Sequence, residues 1–135
     1  MKKIISAIIA LVQLASLQII APAQEPEPAL KIGIVSDMQY GRTSQDSSKT
    51  SYEYCGDKFK EGVRQIIERA GGLDELDVLM IPGDITHNSL DAEWRAFIDD
   101  LKEVVPVGSH TKVMCLRGNH DAKPNKESNF IKYMQ

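Results

Sequence analysis

Three short apolar runs alternate with two longer stretches in which apolar residues recur at helical spacing. Leu30 to Ser36 reads Leu-Lys-Ile-Gly-Ile-Val-Ser, rich in β-branched residues, and Asp37 follows it directly. The run is too short for a helix and predicts a strand. Val78 to Pro82 is a second run, followed by Gly83-Asp84. Its unbroken apolar character predicts a strand covered on both faces. Val113 to Leu116 is a third, closed by Arg117-Gly118-Asn119-His120-Asp121. Between the first two runs, Phe59, Val63, Ile66, Ile67 and Ala70 form one stripe of a helix, which Gly71-Gly72 should stop. Between the second and third, Leu90, Trp94, Phe97, Ile98, Leu101, Val104 and Val105 form another. Asn88 or Ser89 can cap that helix, and Pro106 and Gly108 end it. Residues 42–51 are polar, rich in Ser and Thr and without a period, which predicts a loop.

Strand, helix, strand, helix, strand implies a parallel sheet with crossover helices. In such sheets the functional groups collect just beyond the carboxyl ends of the strands. Asp37 and Gln39 follow the first strand, Asp84 and His87 the second, and Asn119, His120 and Asp121 the third. Residues far apart in sequence are therefore expected at one edge of the sheet.

The first residues stand apart from this pattern. Lys2 and Lys3 precede a mostly apolar run, Ile4 to Ile20, broken by Ser6, Gln13, Ser16 and Gln18, and Ala21-Pro22-Ala23 follows. A basic start, an apolar run and an A-x-A ending are the parts of a secretory signal peptide. The run is too short and too interrupted for a stable membrane anchor. Cleavage is expected after Ala23, and the compact leader is of bacterial type, which implies a periplasmic or secreted protein. The mature chain would have 112 residues, and losing two lysines would take its net charge from −3 to −5. Residues 24–29, beginning Gln-Glu-Pro-Glu-Pro, predict an extended linker. Residues 30–135 then form the folded part.

With 42% apolar and 26% charged residues the chain has an ordinary globular composition. Its acidic balance argues against a basic nucleic-acid-binding surface. Two cysteines exclude a disulfide-dense scaffold and a four-cysteine zinc site. What remains is the polar set at the strand ends. Asp, Gln, Asn and His supply hard oxygens and an imidazole, which suit manganese, iron, zinc or magnesium. Two such ions about 4 Å apart can activate a water for in-line displacement at phosphorus.

These residues carry a resemblance. Asp37-Met38-Gln39, Gly83-Asp84-Ile85-Thr86-His87-Asn88 and Gly118-Asn119-His120-Asp121 resemble the first three blocks of the calcineurin-like metallophosphoesterases, whose pattern is D-x-H, then G-D, then G-N-H-D/E, each after a strand. The resemblance implies an α/β fold: the N-terminal βαβαβ part of a two-sheet sandwich flanked by helices. It implies two divalent ions, with Asp37 and Gln39 at the first, Asn119 at the second and Asp84 bridging. His120 would be the catalytic histidine that contacts the phosphate and assists the leaving group. His87 and Asp121 would stand behind these residues as supports. The substrate would be a phosphorylated small molecule.

Three departures qualify the match. Gln39 stands where most members have histidine, as in the branch resembling manganese-dependent ADP-ribose/CDP-alcohol diphosphatases, which makes a nucleotide diphosphate a candidate substrate. His87 occupies a place that is aspartate in the phosphoprotein phosphatases. The family's later histidines, an isolated ligand and a G-H-x-H block, have no counterpart in residues 122–135. Residues 30–135 therefore read as the N-terminal portion of a larger catalytic domain, from which little turnover is expected. The alternative is a non-catalytic fragment retaining part of the metal site. A dinucleotide-binding module is disfavoured, since no G-x-G-x-x-G follows the first strand.

The remaining chemistry-bearing residues read as structural. Trp94 and Phe97 belong to a core stripe. Tyr40, Tyr52 and Tyr54 border the first loop and are expected to pack. Cys55 and Cys115 are expected as unpaired thiols, and His110 as an exposed loop residue.

Overall fold

The computed structural model describes residues 30–123 and 127–134; the leader and the linker, residues 1–29, lie outside them. Three parallel strands, β1 (Ile32–Ile34), β2 (Val78–Ile81) and β3 (Lys112–Cys115), form one sheet in the order β1-β2-β3. Helix α1 (Ser51–Ala70) and a single 3-10 turn (Leu73–Glu75) join β1 to β2. Helix α2 (Asp91–Val104) joins β2 to β3, and α3 (Glu127–Met134) follows. The α/β architecture read from the sequence is present, with the strands inside the expected runs.

Register decides which side chains reach the core. Ile32 pairs with Val78 and Val78 with Lys112, while Gly33 pairs with Leu79 and Leu79 with Val113. Paired residues in a parallel ladder share a face, and successive residues alternate. Leu79 and Ile81 are therefore fully buried beneath the helices, while Val78 and Met80 are only partly covered. This corrects the expectation of a strand covered on both faces. α1 and α2 pack against each other and lie on the same side of the sheet, as two right-handed crossovers in a 1-2-3 sheet require. Ile32, Ile34 and Met114 stay exposed on the opposite face.

The core lies between the helices and the covered face. Phe59 and Val63 of α1, Trp94 and Phe97 of α2, and Tyr40 from the loop after β1 are buried together. The Phe59 and Phe97 ring centroids are 5.5 Å apart, and Tyr40 meets Phe97 edge-on at 5.8 Å. Such pairs add about 0.5–1.5 kcal/mol each beyond the area they bury. The Tyr40 hydroxyl donates to Asp100 at 2.9 Å, which ties the first loop to α2. Trp94 and Phe97 are core residues as expected, and Tyr40 packs.

α1 starts well before its first stripe residue. Thr50 caps it: the Thr50 hydroxyl oxygen accepts from Glu53 N–H, and the Glu53 carboxylate accepts from Thr50 N–H. This reciprocal pair satisfies two groups that a helix start leaves open. α2 is capped differently from the expectation. Leu90 occupies the cap position, and the buried Glu93 carboxylate accepts from Leu90 N–H at 3.0 Å and Asn88 N–H at 2.9 Å. α3 was not anticipated from the sequence. Phe130 and Tyr133 dock it on Trp94, and Tyr133 and Lys132 both donate to Asp91.

Both cysteines are free thiols. Burial and the neighbouring Asp121 charge push Cys115 from its usual value near 9 up to about 11. Burial also raises Cys55. At pH 8 such a rise leaves Cys115 about 100-fold less thiolate, the reactive form. Iodoacetamide at pH 8 is therefore expected to spare Cys115 in the folded chain and label it rapidly in urea. Equal labelling rates in both states, read by mass spectrometry, would contradict this packing.

Candidate functional site

The carboxyl ends of the three strands come together as expected. The loops after β1 and β2 run side by side. Asp37 N–H donates to Gly83 O at 3.4 Å, Gln39 N–H to Asp84 O at 3.0 Å, and Tyr40 N–H to Ile85 O at 2.9 Å. His87 N–H then returns to Tyr40 O at 2.9 Å. The third loop joins through Asp84, whose Oδ1 accepts from His120 N–H at 2.9 Å.

Two glycines permit this convergence. A Cβ on Gly83 would lie 2.7 Å from Gly118 N, and one on Gly118 would lie 2.2 Å from both Asp84 N and Asp84 Oδ1. No side chain fits between these backbones.

The backbone at the candidate ligands is unusual. Among the described residues four non-glycines take a positive φ: Asp37 (60°), Gln39 (46°), Asp84 (50°) and Ser89 (54°). The left-handed region costs an ordinary residue roughly 1–2 kcal/mol. Strained conformations persist only where the surroundings over-determine them, and they cluster at functional sites. Three of the four positions are ligand candidates from the sequence. The fourth, Ser89, is buried and donates through its hydroxyl to Asp121 O at 2.9 Å.

Asp121 is the support for the whole edge. Its side chain is fully buried. Oδ1 accepts from Thr86 N–H at 2.9 Å and from the Thr86 hydroxyl at 2.8 Å. Oδ2 accepts from Gly118 N–H at 3.0 Å and Ile85 N–H at 3.2 Å. One carboxylate thus fastens the second loop to the third. Both of its oxygens are occupied by these donors.

His120 and His87 meet as a pair. Their rings stack at 5.1 Å with 22° between planes. His120 Nδ1 lies 2.8 Å from His87 O. A carbonyl can only accept, so the proton is on Nδ1, and in the neutral ring Nε2 carries the lone pair. His87 therefore orients His120 through its carbonyl and its ring. His87 Nδ1 is buried and has no hydrogen-bond partner among the described residues, an arrangement that costs about 1–3 kcal/mol. His110 is exposed near the opposite end of the sheet, 3.2 Å from Asp77, and takes no part.

The family follows from these blocks read in place. The sequence pattern of the calcineurin-like phosphoesterases matches residues 30–135. The chain belongs to the calcineurin-like phosphoesterase family. Membership places it, at family level, among the metal-dependent hydrolases of phosphoric esters acting on phosphorylated small molecules. No curated protein matches the chain.

Divalent ions belong to this family's chemistry, and the donors present can be set against them. Among the described residues no three His, Cys, Asp or Glu side chains gather as a metal-holding group. The strand-end edge offers two carboxylates, Asp37 and Asp84, and two amides, Gln39 and Asn119. Asp37 Oδ2 accepts from the Ser36 hydroxyl at 2.5 Å. Each carboxylate keeps one oxygen that no described donor occupies. Hard, partly exposed oxygens of this type fit a hard divalent cation. Gln39 is the weakest member, because its Oε1 already accepts from Arg42 at 3.2 Å.

Arg42, Glu93 and Thr86 were not singled out from the sequence as parts of this edge. Thr86 lies inside the second block, and Glu93 stands at the third position of a helix, where a carboxylate commonly turns back to the cap. Arg42 carried no sequence signal.

Proposed function

We propose that this chain carries the metal-binding edge of a phosphoesterase that hydrolyses a phosphate ester or a nucleotide diphosphate. The left-handed backbone at Asp37, Gln39 and Asp84, beside the His87–His120 pair, is the observation that carries the reading. Asp37 and Gln39 would hold one divalent ion, Asn119 a second, and Asp84 would bridge them; manganese, iron, zinc and magnesium all suit the donors. When bound, such ions lower the pKa of a water and neutralise charge on the phosphoryl oxygens.

The chain's own residues do the rest. Gly83 and Gly118 let the strand-end loops close on Asp84. His87 O holds the His120 ring by its Nδ1–H. Protonated at Nε2 as well, that ring gives its proton to the leaving oxygen as the P–O bond to the leaving group breaks and a new P–O bond forms to water. Gln39 in place of histidine favours the nucleotide-diphosphate branch. The leader and its A-x-A ending support action outside the cytoplasm.

Bis-p-nitrophenyl phosphate with added manganese tests the reading. Slow, manganese-dependent release of p-nitrophenolate is expected, lost in Asp84→Asn and reduced about 100-fold or more in His120→Ala, within the usual contribution of a general acid. Release that ignores manganese, or that survives in both variants, would contradict it.

A further inference from the structure

A cavity of about 310 Å³ opens beside the metal-binding edge, between the loop after β1 and the first turns of α1. Asp37 and Met38, which belong to the first strand-end block, line it together with Arg42, Tyr54 and Lys58. Two cations therefore face one cavity. Neither pairs with a carboxylate among the described residues: Arg42 reaches the neutral Gln39 amide, and Lys58 sits 5.9 Å above the Tyr54 ring. Among the other cations of α1 and its entry loop, Arg69 at the far end of the helix has no carboxylate partner among the described residues either, and the remaining three are paired. Lys49 pairs with Asp57, Lys60 with Asp100 and Glu103, and Arg64 with Glu103. Both Arg42 and Lys58 are exposed, so nothing in the core depends on them.

We propose that Arg42 and Lys58 form a second anion subsite, which takes the phosphoryl group next to the one being hydrolysed. The geometry argues for this in three steps. Asp37 is shared by the cavity and the edge, so a phosphorus held at the edge leaves its neighbouring phosphoryl group at the cavity mouth. Gln39 links the two directly, since the residue that offers an oxygen at the edge also holds the Arg42 guanidinium. A guanidinium and an ammonium without protein counter-ions are the groups that bind phosphoryl oxygens best, by charge-assisted hydrogen bonds. The subsite selects phosphoanhydrides over simple monoesters. As a substrate subsite it rests on the phosphoesterase reading above.

The test compares inorganic pyrophosphate with inorganic phosphate by calorimetry, with magnesium in excess over both anions. The expected preference for pyrophosphate is about tenfold or more, the worth of one good charge-assisted contact. It should vanish in Arg42→Ala/Lys58→Ala and persist in Lys102→Ala/Lys112→Ala, which removes equal charge away from the cavity. Equal affinity in the wild-type chain, a preference kept in the first variant, or one lost equally in the second would overturn the subsite. Manganese binding, measured on the wild-type chain and Asp84→Asn, judges the phosphoesterase reading separately. Manganese held through Asp84 without pyrophosphate preference removes the subsite alone. A preference that depends on Arg42 and Lys58 without manganese binding keeps the subsite and removes the reading.

Discussion

Asp121→Ala is expected to cost about 3–5 kcal/mol, the penalty for breaking a buried charged hydrogen-bond cluster. The fully buried carboxylate accepts from three backbone N–H groups and one hydroxyl. Alanine leaves these donors facing an apolar gap that offers no replacement. A domain of this size is stable by about 5–15 kcal/mol, so the variant should be close to unfolding. Asp121→Asn preserves the volume and one acceptor oxygen, and should lose roughly half as much. Urea denaturation followed by circular dichroism gives both values. A change under about 1 kcal/mol in Asp121→Ala, the scale of an ordinary surface substitution, would show that Asp121 does not fasten the loops.

Gly118→Ala is expected to act on the site more than on the fold. Its added Cβ would fall 2.2 Å from Asp84 N and Asp84 Oδ1. The obstruction is backbone as well as side chain, so the second and third loops must part. Such overpacking costs about 1–3 kcal/mol, which leaves the chain folded. The displaced carboxylate is the proposed bridge, however, and manganese affinity should fall about tenfold or more, as for the loss of one charged ligand contact. Gly108→Ala is the control. Unlike Gly118, Gly108 has a positive φ, 88°, but a Cβ there meets nothing within 4 Å. It should lower stability by about 1 kcal/mol and leave manganese affinity unchanged. Equal effects of the two substitutions on manganese binding would contradict the close packing at Asp84.

The strands and helices were legible because their apolar periodicities are local. Phe59 and Val63 mark the buried stripe of α1, and Leu79 and Ile81 the buried face of β2. The even apolar character of β2 misled, because Val78 and Met80 belong to a face that no described element covers. The start of α1 was present in the sequence as Thr50-x-x-Glu53, a capping signal outweighed by the polar composition around it. α3 depends on Trp94 for its docking and has little local pattern to announce it.

The candidate site was legible as residue types at strand ends, and the structure brings all three blocks to one edge. What the sequence withheld was how they are held. The donors to Asp121 from the second loop lie 35 and 36 residues away, and its burial is a tertiary fact. The left-handed backbone at Asp37, Gln39 and Asp84 arises from the same pairing of distant loops. Arg42 becomes interesting only once Gln39 is seen to hold it beside a cavity.

The central claim is that three strand-end loops form one cation site. Paramagnetic broadening by manganese in an amide NMR spectrum tests it most directly, because the effect falls steeply with distance from the ion. At substoichiometric manganese the account predicts simultaneous loss of the Asp37, Asp84 and Asn119–His120 signals, abolished in Asp84→Asn. Broadening spread over the acidic surface, around Asp74 and Glu75 for example, or unchanged in Asp84→Asn, would contradict it.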